Sequence, residues 1–271
     1  MPGRAHAGHR DADGRANRLG AAMTKVAVTA VERLLDIVEA FRAARRPLSL
    51  TELAESIRIP KSSCHAIVST LIARGYLYTL SRPRALYPTR RLHDLTREIL
   101  QHDPFIEDAM PALEQLRDSS RETVIFGKRQ GNAVVYLQVV EGPHSIRYSA
   151  APGEIKPLHS SAIGKAVLGS LKEAELRTLL DGLALPAVTG TTLVDRRTLM
   201  ADLARSRKLG YYVTRGENVA DVWAVAASLA INAETLAVAI AGPRHRMEKS
   251  LPDCAHLLVA TCSALARQAG G

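Results

Sequence analysis

Nowhere in this 271-residue chain does an uninterrupted apolar run approach the ~20 residues that a membrane-spanning helix requires. The first residues are rich in Gly, Ala, Arg and His and lack the apolar segment of a secretory signal, so a disordered basic extension is expected over 1–23, with Met23 as an alternative start. Cysteine is scarce: Cys64, Cys254 and Cys262 stand far apart, each in or near an apolar helical pattern. An odd, dispersed set of this kind suits buried free thiols in a reducing cytoplasm. There is no Cys-x-x-Cys or His-x₃-His pairing to hold zinc, so no metal is expected. There is no internal repeat and no Gly-x-Gly-x-x-Gly. Gly164-Lys165 does not close a phosphate loop: His159 stands where that loop needs glycine, and Ala166 where Ser or Thr would hold magnesium. A hydrolase built on Ser160, His159 and a carboxylate lacks the Gly-x-Ser-x-Gly elbow, and neighbours on one segment rarely reach nucleophile–base geometry. A non-enzymatic, cofactor-free cytoplasmic protein is the expectation.

What the chain does have is an uneven charge. Its formal net charge is +9. Residues 1–102 carry 17 Lys and Arg against 9 Asp and Glu, and the remaining 169 residues carry 19 against 18. The basic excess therefore lies in the first third, and the N-terminal arginines Arg4, Arg10, Arg15 and Arg18 account for little of it. A basic module joined to a near-neutral one points to phosphate binding at one end and another task at the other.

The first third also holds the most informative segment, residues 50–71. Leu53, Ile57, Ile59, Cys64 and Ile67 fall where a helix-turn-helix buries its apolar side chains, with the small Ala54 at the crossing. Ser49 and Glu52 form a Ser-x-x-Glu capping box for the first helix, and Pro60 suits the first turn of the second. Cys64, Ile67, Val68, Leu71 and Ile72 share one face of that second helix. Lys61, Ser62, Ser63, His65, Ser69 and Thr70 share the other, which is short and polar as a major-groove helix requires. Arg58 stands where the turn needs φ > 0 and usually has glycine. The competing reading is an ordinary αα-hairpin.

A helix over 30–45 precedes this motif, with Val31, Leu34, Leu35, Val38 and Phe41 at helical spacing. Gly75 ends the recognition helix. Strands at 76–79 and 85–87 then flank a turn at 81–84, which reads as a wing with Arg82 and Arg84 at its tip, able to reach phosphate or the minor groove; a plain surface hairpin is the alternative. Residues 90–118 read as a helical connector broken near Asp103-Pro104. Beyond it, strands are expected at 123–126, 133–140, 145–150, 211–214, 222–231 and 235–241. Helices are expected at 160–171, 173–181, 195–208 and 247–269. The expected fold class is α+β in two domains: a winged helix-turn-helix over 24–89, a helical linker over 90–118, and an α/β domain with an antiparallel sheet over 119–271.

Three stretches together resemble the IclR-type transcriptional regulators. Ser49-Leu50-Thr51-Glu52-Leu53-Ala54, Ile59-Pro60-Lys61-Ser62-Ser63 and Leu71-Ile72-Ala73-Arg74-Gly75-Tyr76-Leu77 are similar to that family's winged helix. Pro157-Leu158-His159-Ser160-Ser161-Ala162-Ile163-Gly164-Lys165-Ala166 resembles its most recognisable effector-domain segment. Gly210-Tyr211, Glu217, Ala224-Val225-Ala226 and Gly242-Pro243 follow its later motifs. The resemblance covers the chain from Val28 onward. It implies a DNA-binding homodimer, often a dimer of dimers, acting on double-stranded operator DNA, with a GAF-like C-terminal domain that binds a small-molecule effector. Carried over onto this chain, it implies an effector pocket of Tyr148, His159, Ala162, Ile163, Thr214, Val222, Ala224, Ala239 and Ala241. Ala66 replaces the family's frequent Arg in the recognition helix. Thr214, Ala239 and Ala241 replace more polar residues, which favours an apolar or aromatic effector, or a C-terminal domain that serves oligomerisation alone. Plain core packing is the competing reading for most of these positions. His159 is read either as a hydrogen-bonded support for the loop before a helix or as a ligand contact. Trp223 alternates with Val222 and faces the opposite side, at a subunit contact or simply buried.

Overall fold

The computed structural model describes residues 28–81, 84–103 and 105–269. The expected 1–23 extension and Arg82 lie outside them. The chain divides into two compact units after Asp103.

In the first unit, α1 (Thr29–Ala44) is followed by α2 (Leu50–Ser56), α3 (Lys61–Ala73), the hairpin β1 (Leu77–Ser81) and β2 (Arg84–Pro88), and α4 (Arg91–Leu100). The capping box forms as its sequence demands: Glu52 N–H donates to Ser49 Oγ at 3.2 Å and Ser49 N–H donates to Glu52 Oε2 at 2.8 Å. Arg46 reaches the same carboxylate at 2.9 Å, and these bonds hold the Glu52 carboxyl down at about 2. Pro60 is the residue that caps α3 rather than one inside its first turn. Arg58 adopts φ 56°, and Gly75 follows α3 at φ 75°. The core is Ile37, Phe41, Leu53, Cys64, Val68 and Leu86. Two expected apolar faces are rotated from their expected burial. Ile72 is exposed, and α1 buries Ile37 and Phe41 while Val31, Leu35 and Val38 stay exposed. The expected connector is two helices: α4 belongs with the first unit, and α5 (Ile106–Ser120) packs in the second.

The second unit continues with β3 (Thr123–Gln130), β4 (Ala133–Val140), β5 (Ile155–Pro157), α6 (Ala162–Ser170), α7 (Glu173–Gly182), α8 (Arg196–Leu209), β6 (Tyr212–Arg215), β7 (Val222–Ile231), β8 (Glu234–Pro243) and α9 (Arg244–Ala269). The strands form one antiparallel sheet in the order β5-β4-β3-β8-β7-β6. No strand forms at the expected 145–150. Those residues run as a loop, and the edge position beside β4 is taken by β5. The loop is fastened instead by Thr123 Oγ1, which donates to Tyr148 O at 2.5 Å, and by Arg246, which donates to Ile146 O at 3.0 Å. The β7–β8 connection is as short as two residues allow, with Asn232 at φ 50° and Ala233 at φ 62°, the two positive angles of a primed hairpin turn.

Alternation along β7 and β8 sorts residues by size. Val225, Ala227, Leu229, Val238 and Ile240 face α5 and α9. Ala224, Ala226, Ala237, Ala239 and Ala241 face α6. That alanine face admits α6, whose residues from Ala162 to Gly169 are all buried. Close approach also explains its glycines: a Cβ at Gly164 would collide with Leu158 backbone, and one at Gly169 with the Tyr212 ring. Helix α8 braces this layer through two arginines that cap helix C-termini, where carbonyls lack intrahelical donors. Arg207 donates to Gly169 O at 2.8 Å and Leu171 O at 2.9 Å; Arg196 donates to Leu180 O at 2.8 Å.

One residue of α6 contradicts the apolar setting. Lys165 is fully buried, with its ammonium 2.9 Å from Asp202 on α8, 2.6 Å from Glu217 beyond β6, and 3.3 Å from Val213 O. Burial raises the Glu217 carboxyl above the ordinary range, against the lowering pull of Lys165. A buried ion pair adds little net stability, but removing one partner strands the other charge. Lys165→Met should therefore cost about 3–5 kcal/mol. Adding Glu217→Gln should recover at least half of that, both read from chemical denaturation midpoints; a double variant no more stable than the single one would deny the coupling.

Candidate nucleic-acid interface and ligand cavity

Helix α3 presents the polar face expected of it. Lys61, Ser62, His65, Ser69 and Thr70 are exposed; Ser63 is partly buried. Three of these side chains are already engaged within the helix. Ser69 Oγ lies 3.4 Å from His65 Nδ1, and Thr70 Oγ1 donates to Ala66 O at 3.0 Å. His65 and Ser69 therefore form a pre-set pair at the helix surface, whereas Ser62 and Lys61 remain adjustable. Between α3 and the hairpin runs a groove lined by Lys61, His65, Ser69, Thr79 and Arg84, with Thr51 from α2 closing one end. Arg58, Lys61 and Arg84 carry no ion pair among the described residues, so their charge is available to phosphate. The surface is basic, polar and helix-borne, which are the requirements for entering a major groove while the hairpin touches the flanking backbone.

In the second unit, one cavity lies between the alanine face of the sheet and the start of α6. The sheet contributes Ile125, Tyr136, Val222, Ala224, Ala239 and Ala241; α6 and its cap contribute Ser161, Ala162 and Ile163. Thr214 of β6, Tyr148 of the 141–154 loop, and Asn218 and Val219 of the β6–β7 loop complete it. Its free volume is ≈ 30 Å³, room for about two waters. All the residues expected at an effector pocket surround this cavity except His159. That ring is buried and donates from Nε2 to Pro186 O at 2.9 Å, so it ties the segment before α6 to the chain beyond α7. Burial lowers its pKa, so it stays neutral there.

Tyr136, Asn218, Val219, Ser161 and Ile125 were not anticipated. Tyr136 had a usable signal, since it lies two residues from buried Val134 on the same face of β4. Asn218 had none, because nothing in a loop's sequence says which way a side chain points. The Tyr136 phenol is held well above the ordinary range, first by burial and then by the neighbouring Tyr148. The Asn218 loop is clamped from both sides. Gly216 takes φ 79°, where a Cβ would meet Ala220 O at 2.5 Å. Thr189 Oγ1 donates to Gly216 O at 2.7 Å, Thr192 Oγ1 donates to Glu217 O at 2.7 Å, and Lys165 grips the Glu217 carboxylate from inside. Trp223 faces away from the cavity, partly buried, with Arg215 5.4 Å and Arg244 5.9 Å from its ring centre. The start of α6 adds a polar element. Ser161 Oγ accepts from Gly164 N–H at 3.1 Å, leaving the first-turn N–H groups of Ala162 and Ile163 facing no intrahelical acceptor. A helix end of this kind favours a negative group by about 0.3–2 kcal/mol.

Comparison with known proteins connects the two sites. A family profile described as "Bacterial transcriptional regulator IclR C-terminal" matches residues 97–267, and one described as "IclR helix-turn-helix domain" matches residues 30–81. The HTH-type transcriptional regulator BhcR of Paracoccus denitrificans is 32% identical over 238 residues, spanning 86% of this chain and 84% of that protein. The crystal structure of IclR from Thermotoga maritima superposes with a TM-score of 0.76 at 24% identity, covering 94% of this chain and 99% of that one. An IclR homologue from Microbacterium hydrocarbonoxydans complexed with 4-hydroxybenzoate superposes with a TM-score of 0.68 at 19% identity, covering 89% of this chain and all of that one (100%). Among the described residues, no helix is long and apolar enough to cross a membrane.

The interface geometry separates two kinds of contact. A base-reading role for His65 predicts that His65→Ala costs about 1–3 kcal/mol on the cognate site and little on random DNA. Arg84→Ala should weaken both DNAs alike and flatten the slope of log K against log salt by about one unit. Filter-binding or anisotropy titrations across a salt series distinguish the two; the reverse assignment of effects would exchange their roles.

Proposed function

The chain belongs to the IclR family of bacterial transcriptional regulators, and on that premise we propose how its two units work: a homodimer, or a dimer of dimers, places paired α3 helices on operator DNA in the cytoplasm, and a largely apolar, aromatic or branched effector occupies the cavity beneath α6. The protein is a DNA-binding transcriptional regulator with an effector-binding C-terminal domain. Its relatives are named as transcriptional regulators, in keeping with a non-enzymatic task.

The observation that carries the effector reading is the cavity itself. Its floor is alanine where the opposite face of the same strands is branched, so the space is a property of side-chain choice and not a packing fault. A relative of like fold holds 4-hydroxybenzoate. A ring of that size exceeds a space of ≈ 30 Å³, so its entry must displace lining side chains. The displaceable wall is the Tyr148 loop, which is irregular chain, since the Asn218 loop is clamped by Thr189, Thr192 and Lys165. Its movement is the change an effector would impose, and it biases the protein only to the extent that the ligand prefers the moved state.

Support for the dimer comes from the first unit. Val31, Leu35 and Val38 on α1, and Leu92, Leu95, Ile99 and Leu100 on α4, are exposed. Apolar side chains repeated along two helices of a small basic module make a face that a second copy covers, and two-fold symmetry matches paired half-sites. Leu35→Asp with Ile99→Asp should shift sedimentation from dimer to monomer and weaken operator binding; an unaltered dimer would move the interface elsewhere.

The effector reading has its own test. Ala239→Val and Ala241→Val fill the free volume at a folding cost of about 1–3 kcal/mol. Each should abolish the change in operator affinity that an aromatic effector causes, with effector-free DNA binding intact in a gel-shift titration. Normal responsiveness in both variants would place the effector site outside this cavity.

A further inference from the structure

The cavity lining carries no charged side chain among the described residues. We infer that it selects an effector with a neutral polar end (an amide, ester, lactone or phenol) over the matching carboxylate, and that Asn218 is the residue that selects. This rests on the effector reading above and narrows it to a ligand class.

The charges behind the lining offer an anion no free partner. Lys165 is the cation next to the α6 wall, and its ammonium is already held between Asp202 and Glu217 at 2.9 and 2.6 Å. Lys165 and Arg205 together balance Asp202 and Glu217, so the cluster has no spare cation for a ligand. Glu217 adjoins Asn218 directly in the loop that lines the cavity. On the opposite side, Lys156 lies 5.8 Å from the Tyr136 ring, with its ammonium 2.6 Å from Glu154. A carboxylate brought into this space would lose its hydration and gain no cation in return. The free N–H groups at the start of α6 supply only a partial positive charge.

What the cavity does offer is neutral hydrogen bonding. Asn218 Oδ1 accepts from Ser160 Oγ at a long 3.5 Å, and its NH₂ has no hydrogen-bond partner among the described residues, so a ligand in the cavity that it lines can take that donor. Thr214 is a largely buried residue of the wall and brings a hydroxyl to it. Tyr136 stays an un-ionised phenol because of its burial. An NH₂ donor beside two hydroxyls matches a carbonyl or phenol oxygen that brings no net charge.

The test is a matched pair of probes on the full chain, 4-hydroxybenzamide and 4-hydroxybenzoate, measured by isothermal titration at pH 7.5. We expect the amide to bind at least tenfold more tightly, and Asn218→Leu to remove the difference by weakening the amide alone. A second measurement needs no variant. If only the neutral form of an acid enters, the apparent affinity for benzoic acid should rise about tenfold per pH unit from 7.5 to 5.5, because a carboxylic acid with pKa ~4 gains neutral form at that rate. Equal or tighter binding of the carboxylate, or an affinity flat with pH, overturns the selectivity while leaving the effector reading intact. Binding of neither probe at millimolar concentration removes the aromatic-effector reading, and the selectivity falls with it.

Discussion

A lysine ammonium held entirely out of water has to be surrounded by acceptors, and in this protein the acceptors come from three separate parts of the chain. Asp202 comes from α8, the Val213 carbonyl from β6, and Glu217 from the loop that follows it. Lys165 thus fixes α6 against two elements that are distant in sequence. The cavity depends on that fixation: the start of α6 forms one of its walls, and the residue after Glu217 forms another. Desolvation makes such a cluster a poor source of net stability. What it supplies is position, because an ammonium with few directions left to it defines where three backbone segments can lie.

The sheet supplies the complementary constraint. Two strands in register, Ala224 against Ala241 and Ala226 against Ala239, put the smallest apolar side chain at each crossing below α6. The same strands carry valine, leucine and isoleucine toward α5 and α9. One face carries mostly branched side chains, while the other trades side-chain volume for a close helix and a small void. The DNA-binding unit shows a similar economy on a smaller scale, with Glu52 satisfying the Ser49 N–H, receiving the Arg46 guanidinium and completing the helix start at once.

Local chemistry was what the sequence made legible. The Ser49–Glu52 box, the positive φ at Arg58 and the stop at Gly75 each follow from rules that act within a few residues, and each is present. Helices and long strands of the second unit also lie close to where periodicity puts them. The expectations that failed depended on distant parts of the chain. The apolar run at 145–150 has strand composition, but its backbone is held by Thr123 and Arg246 and not by a ladder. The stripe on α1 is real, yet only part of it meets the core, because which arc of a helix is covered depends on its neighbours. Lys165 carries no local signal for burial, and only Asp202 and Glu217, 37 and 52 residues away, make it possible. His159 has two readings in the sequence, a hydrogen-bonded support for the loop before a helix or a ligand contact, and it is the first that its surroundings fit. Its bond to Pro186 shows that a conspicuous side chain beside a cavity can serve the backbone.

The two glycines of α6 give the cavity a mechanical asymmetry. Gly164 lies against the backbone of Leu158 and Gly169 against the ring of Tyr212, so the helix has no slack toward either neighbour. Arg207 ties its far end to α8. That side behaves as an anvil. Across the void, the Asn218 loop is clamped by Thr189, Thr192 and the Lys165 ion pair, whereas the Tyr148 loop is tied by Thr123 Oγ1 and the Arg246 guanidinium and acts as the spring. Pressure from any occupant is therefore delivered in one direction, away from the helix and into the Tyr148 loop, and its size is set by how far the guest's dimensions exceed the space of two waters.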